Sequence, residues 1–246
     1  MTTTTEPATR TAWLTRLRID TRNRHALDVL DDGDRLHDAL MRLLPDQLGA
    51  TARATGGLLF RIDETPAGIQ VLAQTRTEPR LDRLPTGFTQ PVSKDMTRFL
   101  AALRPGVPVA YRIAANPVRQ VGKNDRDRRH RKACETARAQ GRPVPKTPPP
   151  SRIPLTGQAA EDWWLARATA NGLDVGTILR GPATALHTHR DGRHPRRSNP
   201  GRHRIALTVF EGDAVITDVD KVRDAILTGI GRGRAYGAGL LSIALT

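Results

Sequence analysis

Aromatic residues are scarce in this 246-residue chain, at 4%. That argues against recognition built on rows of base-stacking rings, the device of RNA-recognition sheets. Cysteine is scarcer still. The lone Cys134 cannot form an internal disulfide or build a thiolate metal set, and its place in a basic segment makes it incidental. No apolar run approaches the roughly 18 residues of a membrane span. The polar opening MTTTTEPATRT lacks the core of a signal peptide, so a cytoplasmic protein without a membrane partner is expected. Acidic residues are outnumbered, 25 Asp and Glu against 39 Lys and Arg, for a formal charge of +14. An excess of that size points to a polyanion, nucleic acid first.

The cations cluster. Between Val118 and Lys146 there are ten Lys and Arg against three acids, beginning with Arg119, Lys123, Arg126, Arg128 and Arg129. This basic, proline-rich linker over 118–155 is open to two readings, disordered or folding only on RNA. Between Arg190 and Arg204 six arginines stand against one acid, among them Arg190, Arg193, Arg196, Arg197 and Arg202. His187, His189 and His194 share that stretch, and three imidazoles can hold zinc. Their arginine neighbours repel a cation, and no Cys or acid completes a set, so no metal is expected.

GIGRGRAYGAGLLSI, residues 229–243, carries five glycines and two arginines. Glycine-rich turns let backbone amides approach phosphates. The spacing gives no clean G-x-G-x-x-G opening a helix and no Lys-Ser/Thr pair, and only one short strand follows. A nucleotide-binding fold is therefore excluded and no cofactor is expected. Arg232 and Arg234 mark the loop as a place that meets an anion.

Periodicity repeats one order of elements twice. Residues 12–20 alternate as a strand, and Asp34 to Leu44 puts Leu36, Leu40, Leu43 and Leu44 on one helical stripe. GLLFRID and GIQVLAQT flank the turn-forming ETPA as a hairpin. Residues 93–103 read as a helix capped by Ser93. The second pass has a strand over 107–117, which could serve either half, and a helix over 157–170, where Trp163 or Trp164 fills the core. It continues with RIALTVFEG and DAVIT as a tight hairpin, a helix over 219–227 and a final strand. The class is α+β, two tandem ferredoxin-like βαββαβ domains over 1–103 and 104–246.

GIGRGRAYGAGLLSIA, FEG at 210–212, YRIAANPVR at 111–119 and LHDALMRLLP at 36–45 together resemble the CasE-type endoribonucleases of type I-E CRISPR systems. Members of that family cut precursor CRISPR RNA within its repeats and remain as a subunit of the Cascade complex. The resemblance spans nearly the whole chain. It implies two ferredoxin-like domains, repeat hairpin RNA and other Cascade subunits as partners, and a reaction in which the ribose 2′-OH attacks its own phosphodiester. No metal is then required, and the protein supplies in-line geometry and a proton-transfer group.

The resemblance carries the proton-transfer role onto His37; by pattern alone His37 reads as an ordinary boundary histidine. His25 is a second candidate without motif support. Where the family often has a tyrosine three residues before the histidine, this chain has Asp34. Asp34 reads either as the cap of a helix beginning at Arg35 or as a partner that stabilises the charged imidazole, favouring His37 as general acid. Arg24 and the loop arginines are candidates for phosphate stabilisation. The resemblance further implies that residues 183–204 form a basic hairpin gripping an RNA stem. It also implies that the loop, through Gly231, Arg232, Gly233, Arg234 and Gly237, packs beside the RNA. A lysine stands in the family where Arg234 is, whereas Arg232 and Tyr236 depart from it and are given no catalytic role. Two alternatives stay open, a non-cleaving RNA-binding subunit and a general nucleic-acid-binding protein.

Overall fold

The structure is a computed structural model that describes residues 10–182, 186–189 and 202–246. It is a mixed α and β arrangement whose sheets are antiparallel throughout. Residues up to Asn116 and from Trp164 onward form one compact unit, and Pro117–Trp163 form a second. No helix among the described residues is long and apolar enough to cross a membrane.

In the first unit, β1 (Trp13–Ile19) turns Leu17 and Ile19 into the core. The helices α1 (Arg24–Leu30) and α2 (Gly33–Met41) follow, then the short α3 (Ala52–Thr55) and the hairpin β2 (Leu59–Thr65) and β3 (Gly68–Thr75). Leu36, Leu40, Leu43 and Leu44 are all buried, as the stripe predicts, and they pack with Phe60, Ile62 and Val71. Burying such a side chain stabilises by about 1.5–3 kcal/mol, so this stripe fixes which face of α2 remains free.

Two sequence expectations are corrected here. The helix expected over 93–103 begins later, because Ser93 belongs to β4 (Phe88–Asp95), where its hydroxyl meets that of Thr15 at 3.0 Å. The helix is α4 (Thr97–Ala102), and the Asp95 carboxylate accepts the Thr97 amide at 2.8 Å. β4 escaped notice because Gln90, at φ 48°, and Pro91 interrupt its pattern, and the register with β1 shifts between Arg16 and Arg18. Proline within a sheet keeps to edge strands, strand starts or bulges, and bulges concentrate at edges; β4 is an edge of the order β2-β3-β1-β4.

The second sheet contains β5 (Pro108–Ala115), β8 (Leu173–Val175), β9 (Leu179–Pro182), β12 (Thr208–Ile216) and β13 (Leu241–Leu245). Its order is β13-β5-β12-β8, with β9 also on β12, so the strand expected over 107–117 serves this half. The hairpin expected from RIALTVFEG and DAVIT is one continuous strand. β12 pairs with β5 along its length, Gly212 opposite Tyr111. Gly212 is needed for a close approach rather than a turn, since a Cβ there would lie 2.1 Å from the Thr177 carbonyl oxygen. The helix α6 (Gln158–Ala170) brings Trp164 into this core, stacked on Phe210 with ring centroids 5.8 Å apart. The helix α7 (Val219–Thr228) precedes the glycine loop. A separate ribbon pairs β10 (Leu186–His189) with β11 (Arg202–Ile205).

In the second unit, β6 (Val118–Gln120) pairs with β7 (Arg152–Pro154) around α5 (Lys123–Ala139). The linker whose order the sequence left open thus carries a 17-residue helix. Its Lys, Arg, Ala and Glu residues favour helix, and Asp125 in the first turn pairs with Arg128 and Arg129 one turn on. Ala137 is the buried residue of this helix.

Candidate active site

Asp32 starts α2. Its carboxylate accepts the amides of Asp34 and Arg35 at 2.9 and 3.3 Å, which makes Asp32 the cap. The expectation that Asp34 caps the helix is therefore corrected: the chain enters the helix one residue earlier, at Gly33. Asp34 sits in the first turn, and its Oδ1 accepts the hydroxyl of Tyr236 at 3.1 Å.

His37 follows one turn later on the same face and is half-buried. Its Nδ1 is buried and has no hydrogen-bond partner among the described residues. Burial holds the imidazole below its ordinary value of 6.5. The Asp38 carboxylate pulls the other way, Arg53 adds to the lowering, and Asp34 opposes it least. The sequence argument that Asp34 would raise this value is thus outweighed by desolvation, which disfavours the imidazolium. A neutral imidazole near pH 7 is equipped to accept a proton.

Two cations complete the group. Arg53, on α3, donates to the Leu58 carbonyl at 3.3 Å, and burial together with the charge of Arg234 lowers its own affinity for a proton. Arg234 donates to the Thr228 carbonyl at 2.7 Å. Two guanidiniums that oppose each other's charge form a place an anion relieves. The loop delivers Arg234 through a single 3-10 turn, Arg234–Tyr236, flanked by Gly233 and Gly237, both left-handed with φ 79°. Only glycine adopts that conformation without strain. Gly231 also has a positive φ, and Arg232 is exposed.

The structure thus brings together His37, Asp34 and Arg234, and adds Arg53 and Tyr236, neither of which the sequence reading assigned to the site. Arg53 had no signal, lying in the nondescript GATARAT. Tyr236 had one, as the lone aromatic of the glycine loop. Arg24 and His25 are exposed on α1, and no hydrogen bond or ion pair joins them to His37 among the described residues. Arg119, Lys123, Arg126, Arg128 and Arg129 lie in the second unit. Arg190, Arg193, Arg196, Arg197 and His194 fall outside the described residues, while Arg202, His187 and His189 are placed by backbone on the β10–β11 ribbon. Among the described residues no group of His, Cys, Asp and Glu could hold a metal ion.

Comparison with known proteins covers nearly all of the chain. It is 26% identical over 214 residues to the CRISPR system Cascade subunit CasE of Escherichia coli (strain K12), 85% of this chain and 90% of that protein. It is 24% identical over 235 residues to the CRISPR-associated endoribonuclease Cse3 of Thermus thermophilus, 94% of this chain and 99% of that one. The structure of that Cse3 bound to an RNA representing a pre-cleavage complex shares the fold, with a TM-score of 0.72 at 23% identity over 95% of this chain and 98% of its own. A chain of a CRISPR RNA-guided surveillance complex in a pre-nicking state is 36% identical over 95% of this chain and 100% of its own, with a TM-score of 0.62. Residues 12–244 match the family described as CRISPR associated protein, and the chain belongs to that family.

Proposed function

We propose that this chain is an endoribonuclease that cuts precursor CRISPR RNA within its hairpin repeat, without a metal ion, and stays bound to the product as a Cascade subunit. The observation that carries the reading is the half-buried His37, held neutral by burial beside the opposed cations Arg53 and Arg234. His37 accepts the proton of a ribose 2′-OH, whose oxygen forms a bond to its own phosphorus. The bond from phosphorus to the 5′ oxygen breaks, and that oxygen takes a proton from the imidazolium or from water. The products are a 2′,3′-cyclic phosphate and a 5′-OH. Arg53 and Arg234 hold the phosphoryl oxygens as charge grows on them. The relatives' names, Cascade subunit and endoribonuclease, accord with this assignment.

Two tandem ferredoxin-like halves, 1–103 with the histidine and 104–246 with the ribbon and the glycine loop, form the scaffold of this reading. Its support is the strand order: β2-β3-β1-β4 in the first sheet, and β8-β12-β5-β13 in the second, the same order when β9, also on β12, is counted with β8. Exposed cations of α5 and the arginines of 190–202 would grip the RNA backbone, where charge sets affinity.

The test is cleavage of labelled hairpin repeat RNA in excess EDTA by the wild-type chain and by His37→Ala. A substrate with one 2′-deoxy sugar at the cut accompanies them. A single cut that survives EDTA and is lost with either change is the expected result. Tight binding without cleavage by the wild type would overturn the catalytic reading and leave an RNA-binding subunit.

A further inference from the structure

Tyr236 is half-buried, and its ring packs against the core under α2 that contains Leu36 and Leu40. A phenylalanine would supply that packing. The hydroxyl does something else: it donates to Asp34 Oδ1 at 3.1 Å, across 202 residues of sequence. Asp34 is free to accept it because Asp32 already caps the helix. The carboxylate so fixed lies in the turn before His37 and acts on the imidazole. The other charges that face His37 are Asp38 on its own helix and Arg53 on α3, and Arg53 is in turn opposed by Arg234 on the loop.

We infer that Tyr236 is a positioning residue for His37, acting through Asp34: the phenol of the glycine loop pins the carboxylate that faces the imidazole. The inference rests on the nuclease reading for its consequence in catalysis, but not for its geometry. When the loop is displaced the carboxylate is released, so the loop that presents Arg234 also bears on the electrostatics of the histidine, through the smallest of the charges that act on it. One 3-10 turn then delivers both influences, two residues apart.

The experiment is a double-mutant cycle with Tyr236→Phe, Asp34→Asn and the pair, in the full chain. Two quantities are read: the His37 titration by imidazole NMR without RNA, its resonance assigned by His37→Gln, and the single-turnover cleavage rate against pH. Asp34→Asn shifts the titration downward, and Tyr236→Phe shifts it the same way by less. Tyr236→Phe slows cleavage about tenfold, the scale of one hydrogen bond to a charged group. In the Asp34→Asn background it changes neither quantity further. Additive effects, or a Tyr236→Phe titration and rate equal to wild type, overturn the inference. Coupled titrations in a chain that cuts no RNA support the positioning and overturn the nuclease reading instead.

Discussion

The guanidinium of Arg61 leaves its own sheet and donates to the carbonyl oxygen of Arg112 on the other, 3.2 Å away. The same nitrogen reaches Ser242 Oγ at 3.0 Å, while Nε holds the Asp63 carboxylate at 2.9 Å. Their side chains are 5% and 9% exposed, so either charge without its partner is stranded. Arg61→Met is expected to cost about 3 kcal/mol, the lower end for breaking a buried pair, because Arg112 remains 3.4 Å from Asp63. Urea unfolding measures it. Arg61→Met with Asp63→Leu should recover most of the loss, and failure to do so would place the cost in the inter-sheet bonds.

The two aspartates at the start of α2 should separate cleanly. Asp32→Ala removes the cap that holds two amides and is expected to lower stability by about 1 kcal/mol. Asp34→Asn keeps the cap and an oxygen for the Tyr236 hydroxyl but removes the first-turn charge, at about 0.3–1 kcal/mol. Thermal unfolding of the two variants side by side checks the ranking, and equal losses would return a capping role to Asp34.

His37 makes stability depend on pH. Its folded-state value is lowered, so the native chain binds fewer protons than the unfolded one below the ordinary value of 6.5. Stability from this group is therefore present above pH 6.5 and is lost as pH falls through the lowered folded value. His37→Gln should flatten that part of the curve. Urea midpoints from pH 7.5 to 4.5 test it, and a His37→Gln curve parallel to wild type would refute the burial argument.

Arg119 and Lys123 are exposed at the base of the basic helix. If each contacts an RNA phosphate, replacing both with Ala lowers the slope of log affinity against log salt by roughly 1.4–1.8. Affinity for the hairpin should fall while the cleavage rate at saturation holds. Titrations at several salt concentrations decide it, and an unchanged slope removes these residues from the interface.

Periodic burial was the legible part of the fold. The leucine stripe of α2, the β2–β3 hairpin, α7 and β13 follow from spacing because each buries one regular face. What escaped was decided by single contacts. Gly212 looks like a turn glycine until Thr177 is found against it, and β4 is masked by Gln90 and Pro91. At the site, His37 is reached through the resemblance, and Arg234 already through the cationic glycine loop. Asp34 reads as a cap because an aspartate just before a helix fits that signal, but Asp32, two residues earlier, fits it too, and the amides of Asp34 and Arg35 donate to Asp32. Arg53 is meaningful only beside Arg234, a neighbour that sequence spacing does not reveal.

The bond between Asp34 and Tyr236 also has a meaning in time. Its ends are 202 residues apart, which at ribosomal speed is roughly 10–40 s of synthesis. During that interval the emerging histidine helix lacks both its carboxylate anchor and Arg234. The surroundings of His37 are thereby completed late, in the single step that brings the turn bearing Arg234 and Tyr236 onto α2.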